Sequence, residues 1–128
     1  MKKEIVEVPG FEMPKLPDGK PLVPLSPATK AGSFVYVSGL PPLNPDTGEM
    51  VTGDIQVQTR QSLENVKRVL EAAGSSIENV LKVHVYCSNS GYFTQVNEVY
   101  REYFDDRKQR QTEYRLASRN RIYRGPDQ

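Results

Sequence analysis

The chain has 128 residues, 37% of them hydrophobic and 26% charged, with a formal net charge of +1. That length bounds it to a single domain, residues 1–128, which can bury a core but with little margin as a monomer. Balanced charge argues against bulk attraction to nucleic acid, a lone Cys87 excludes an internal disulfide, and no apolar run approaches the roughly 20 residues of a membrane span.

The first residues, MKKEIVEVPGFEMP, contain two lysines but no apolar stretch of the kind a secretory signal needs. The expectation is a reduced, soluble, cytoplasmic protein. Charge is unevenly spread. Residues 107–128 carry 7 basic and 2 acidic residues, a local balance of +5, and the rest of the chain carries 10 basic and 14 acidic, a balance of −4. This marks a basic tail, read as a solvated segment rather than a nucleic-acid site.

Lys3 to Val8 alternates loosely and predicts an edge strand. Pro9 to Pro27 holds six prolines and two glycines, which predicts irregular or extended chain because proline fixes φ and removes a ladder donor. Phe34–Val37 is aromatic and β-branched and predicts a strand, ended by Ser38 and Gly39. Asn44-Pro45-Asp46-Thr47-Gly48 has turn chemistry and predicts a hairpin returning through Glu49 to Thr52.

Asp54 is a candidate N-cap and Gly74 a candidate C′ residue of a long helix. Ile55, Thr59, Ser62, Val66, Val69, Leu70 and Ala73 share its expected inner face. Glu64–Arg68 and Lys67–Glu71 are spaced as i,i+4 ion pairs. Val80 to Cys87 predicts a strand with Leu81, Val83, Val85 and Cys87 on one face and Lys82, His84 and Tyr86 on the other. A second helix is expected from Tyr92 to Phe104, with Phe93, Val96, Tyr100 and Tyr103 inward. The order β-β-α-β-α predicts an α+β fold, with a sheet carrying both helices on one face.

The ordered motifs resemble the RidA/YjgF family of enamine/imine deaminases, also called the L-PSP endoribonuclease family. They are Ser26-Pro27-Ala28-x-Lys30-Ala31-Gly32, Val37-Ser38-Gly39, Asn44-Pro45-x-Thr47-Gly48-Glu49, Gln58-Thr59-Arg60-Gln61-x-Leu63-x-Asn65-Val66, Glu71-Ala72-Ala73-Gly74 and Phe93-x-x-Val96-Asn97-x-x-Tyr100. They cover residues 22–106. The resemblance implies a chorismate-mutase-like fold, a mixed sheet with two helices packed on one face, and a homotrimer with sites in the clefts between subunits. Trimerisation would bury the sheet faces that the helices leave open.

The implied activity is hydrolysis of reactive enamines or imines, such as 2-imino acids, to 2-keto acids and ammonia, with no cofactor. Water attacks C=N, so the protein has to orient the substrate and position water. An arginine fork is the natural receptor for the substrate carboxylate. The family places it in a Pro-x-Arg-Ser/Thr motif; here the matching segment reads Lys108-Gln109-Arg110-Gln111-Thr112, which makes Arg110 the candidate clamp with Lys108 in place of the proline. Gly39 is the candidate for backbone contact with substrate, its other reading being a glycine that turn geometry requires. Asn97 is the candidate cleft wall.

Beyond Arg110 the resemblance is not carried further. The family continues with a Val-rich strand and a final Glu-Ile-Glu strand whose glutamate helps place water. This chain has no glutamate after Glu113, and its tail is expected to lack an alternating apolar strand. A shifted reading frame or a divergent replacement from about residue 107 would account for that. Two further functions follow as alternatives: a ligand-binding or regulatory member without turnover, and an endoribonuclease or translation inhibitor favoured only by the basic tail. Cys87 as a nucleophile lacks a histidine on its own strand face, and His84 alone is no metal site.

Overall fold

The computed structural model describes residues 1–12 and 14–104 together with the backbone of two strands at 112–116 and 122–124. Strand β1 (Lys3–Val6) pairs antiparallel with β2 (Ala28–Ala31), which pairs antiparallel with β3 (Phe34–Val37). Helix α1 (Ile55–Ala72) follows, then β4 (Val83–Cys87), α2 (Phe93–Tyr103), β5 (Thr112–Leu116) and β6 (Ile122–Arg124). The strand pairing forms two three-stranded blocks, β1-β2-β3 and β4-β5-β6. In the second, β4 and β5 run parallel and β5 and β6 antiparallel, so the strands are mixed. A parallel pair needs a crossover, and α2 supplies it between β4 and β5.

Both ends of α1 form as local chemistry dictates. The Asp54 carboxylate accepts from the Val57 backbone N–H at 2.9 Å, satisfying one of the donors left over at a helix start. At the other end Gly74 sits at φ +85°, a conformation that favours glycine. Its N–H donates to the Glu71 carbonyl, and the Ser75 N–H donates to the Leu70 carbonyl. Those two bonds make a Schellman cap. The last turn of α1 contains no basic residue, but Lys30 of β2 reaches across and its Nζ donates to the Ala73 carbonyl at 3.1 Å.

The core lies on both flanks of α1. On one, Val69 and Ala73 pack with Val6, Val8 and Ala28, backed by Phe11, Val35, Val37 and Leu40. On the other, Leu63 packs with Val99 and Phe104, backed by Ile77, Val80, Val83, Tyr100 and Tyr103. The inner face of α1 therefore includes Leu63 and Asn65, which the expected stripe omits. Val96 and Val99 are the buried residues of α2, and Phe93, Tyr100 and Tyr103 are half-buried.

Three sequence expectations are corrected. The strand after α1 begins at Val83, because Ile77–Asn79 forms a 3-10 turn closed by Val80 N–H on the Ile77 carbonyl. Leu81 accordingly misses the strand and is 73% exposed. Neither i,i+4 ion pair forms among the described residues: Arg68 approaches Asp46 at 3.9 Å, and Glu64 accepts from the Tyr103 hydroxyl. Those partners sit on other elements, the Asn44–Gly48 turn and α2, brought to α1 by tertiary packing. The expectation of a tail without a further strand also fails, since β5 and β6 both form. In β5 Thr112, Tyr114 and Leu116 alternate with Glu113 and Arg115, a strand period hidden by the polar composition around it.

A row of polar contacts one helical turn apart joins the helices. Gln56 Nε2 donates to the Gln95 carbonyl at 3.2 Å and to Glu98 Oε2 at 2.7 Å. Arg60 Nη2 donates to both oxygens of Glu102, at 2.9 and 3.1 Å. Burial first, then the hydrogen bond and negative charge of Glu64, push the Tyr103 hydroxyl up to about 12.

Among the described residues nothing covers the opposite face of the first sheet. Ile5, Thr29 and Tyr36 are aligned in register across the three strands, beside Phe34. Ile5 is 65% exposed, Tyr36 64% and Phe34 51%. Ile5, Phe34 and Tyr36 give this face an exposed, largely apolar surface of the kind that marks a contact site.

Candidate functional site

The site is built outward from the end of β3. Ser38 is tied down twice: its N–H donates to the Pro27 carbonyl at 2.9 Å and its hydroxyl donates to the Ser26 carbonyl. Gly39 follows, exposed to solvent. Its φ lies outside the left-handed range, and a Cβ added there would meet no atom of the described residues within 4 Å. Neither turn geometry nor crowding by the described residues therefore requires a glycine at this position.

Beyond Gly39 the backbone is again fixed. Leu40 packs on the core, and Pro41 and Pro42 restrict their own φ and the residues before them. The Pro-turn then returns as predicted, with Asn44 N–H on the Glu49 carbonyl, Gly48 N–H on the Asn44 carbonyl and a Leu43–Met50 bridge. Asn65 secures this segment from α1. It is 1% exposed, and its Nδ2 donates to the Pro41 carbonyl at 3.1 Å and to the Leu43 carbonyl at 2.7 Å. Its Oδ1 accepts from Gln61 Nε2 at 3.0 Å. A buried amide is costly unless its groups are paired, and these are. Sequence reading missed this role. The visible signal was position: Asn65 falls three residues after Ser62 and four before Val69, a polar residue beside the inner stripe.

Asn97 lies half-buried on α2, bracketed by the two groups that Gln56 holds, the Gln95 carbonyl and Glu98. No hydrogen bond joins Asn97 to Gly39 within the described residues. Arg110 lies outside the described residues. His84 and Cys87 sit on β4, His84 exposed and Cys87 half-buried, in keeping with opposite faces of the strand. Burial pushes the Cys87 thiol up, which lowers its thiolate fraction and its reactivity. Among the described residues no three His, Cys, Asp or Glu side chains gather as a metal set. A shallow cleft of about 400 Å³ lies elsewhere, between Pro9, Gly10, Asp46, Arg68 and Ala72.

The family model described as Endoribonuclease L-PSP matches residues 17–117. The chain belongs to the RidA/YjgF family. A RutC family protein from Pyrococcus horikoshii is 53% identical over 89 residues, 70% of this chain and 71% of that one. The 3-aminoacrylate deaminase RutC of Acinetobacter baylyi is 41% identical over 101 residues, 75% of this chain and 80% of that one. Among solved structures, E. coli TdcF with bound serine aligns with a TM-score of 0.69 at 31% identity, covering 94% of this chain and 92% of TdcF. The RidA/YjgF match runs past residue 106 and takes in β5, so the resemblance extends into the basic tail.

Proposed function

We propose that this chain is a deaminase that hydrolyses reactive enamines or imines, 2-imino acids among them, to 2-keto acids and ammonia. The observation that carries the reading is Gly39: an exposed glycine that nothing among the described residues requires, held between fixed neighbours. A bare backbone there leaves room for a ligand to approach the main chain closely. The similarity to a protein named as a deaminase supports the same chemistry.

In this reading Arg110 binds the substrate carboxylate, the Gly39 backbone contacts the substrate, and Asn97 forms part of the wall. Water adds to the C=N carbon, a proton moves to nitrogen, and ammonia leaves as the carbonyl forms. Three copies assemble in the cytoplasm through the open sheet faces, with the sites in the clefts between them. The exposed row of Ile5, Phe34 and Tyr36 supports that assembly. The test is ammonia release from an imine generated in situ by an amino-acid oxidase. Acceleration over buffer is expected, and none from a folded trimer would sink the reading.

A second reading is a member that binds a small ligand without turnover. The serine held by TdcF and the lack of a glutamate after Glu113 favour it. Saturable binding of a 2-keto acid with no ammonia release would distinguish it.

A further inference from the structure

We infer that Asn65 and Gln61 are positioning residues for the ligand-facing backbone at Gly39, an inference that rests on the reading of Gly39 given above. Glycine is the most conformationally free residue in a chain, so a glycine that must present its backbone needs its neighbours fixed. Ser38 is fixed from the N-terminal side by its two bonds to Ser26 and Pro27. From the C-terminal side the side-chain anchor is Asn65, whose Nδ2 holds the carbonyls of Pro41 and Leu43, beside the Val51 N–H on the Pro42 carbonyl.

The Pro41 and Leu43 carbonyls, which can only accept, fix the Asn65 amide with Nδ2 toward the turn, and Gln61 reinforces that orientation. By donating to Oδ1, Gln61 leaves Nδ2 pointing at the turn. An acceptor at position 61 would instead face Asn65 Oδ1, acceptor against acceptor, and weaken that hold. Gln61→Glu puts an acceptor where a donor stood and repels Asn65 Oδ1, loosening the amide's grip on the turn. Gln61→Lys keeps a donor there. Gln61 is half-buried, so both changes test polarity without opening the core.

The experiment compares Gln61→Glu, Gln61→Lys and Asn65→Leu with the unaltered protein. The expected result is a rise in KM of about 10-fold or more for Gln61→Glu and Asn65→Leu, with Gln61→Lys near the unaltered value. A merely structural role would lower the active fraction and leave KM unchanged. In parallel, pyruvate is titrated while the Gly39 and Leu40 amides are followed by NMR. They are expected to shift in the unaltered protein and Gln61→Lys, and to lose the shift in the other two. Equal KM values across the set, or a Gly39 amide that pyruvate never shifts, would overturn the inference. Pyruvate shifts that follow the predicted order without ammonia release would uphold it while removing the deaminase reading.

Discussion

The two faces of the first sheet share one backbone and differ in cover. On one, Val6, Ala28 and Val37 align in register and α1 closes over them. On the other, Ile5, Phe34 and Tyr36 are apolar too, yet no described element covers them. Alternation along a strand identifies which residues favour burial. It does not identify whether the cover comes from the same chain or from another copy.

That contrast can be broken first from the covered side. Val69→Ala empties a fully buried position and is expected to cost about 2 kcal/mol of unfolding free energy, read from urea denaturation at fixed protein concentration. Asp54→Ala removes the N-cap of the covering helix and is expected to cost about 1 kcal/mol in the same measurement. On the open face, Tyr36→Lys is expected to change the stability of the dissociated chain by less than about 0.5 kcal/mol. Its effect should appear instead in sedimentation, as loss of the proposed trimer with circular dichroism unchanged. A trimer that persists would locate the contact elsewhere.

The smallest effect is confined to alkaline pH. Tyr103 has its hydroxyl pushed up to about 12 in the folded chain, against about 10 unfolded. The folded state therefore holds that proton more tightly. The associated stability is fully present below about pH 10 and is lost as pH rises toward 12. Tyr103→Phe should flatten that part of the stability profile, and phenolate absorbance should show one fewer late-titrating tyrosine.

Much of the fold was legible because its signals are local. Asp54 and Gly74 mark the limits of α1 within a turn of each end, and Asn44 to Gly48 specifies its own reversal. The misses depend on distant partners. Arg68 meets Asp46 and Asn65 meets Pro41, contacts that no helical period encodes. β5 is paired by β4, which lets a charged segment form a strand that its composition concealed. Of the candidate site, Gly39 and Asn97 could be named from motifs alone, but the anchors around Gly39 appear only when the turn is folded against α1.

The bond from Lys30 to the Ala73 carbonyl has a consequence for how the chain assembles. A helix whose final turn lacks its own cation borrows one from a strand more than forty positions earlier in the chain. That terminal turn is therefore conditional: it gains its electrostatic closure only once β2 has docked. Fraying of the helix end and detachment of the strand become one cooperative event, and hydrogen exchange at both should share a single opening free energy.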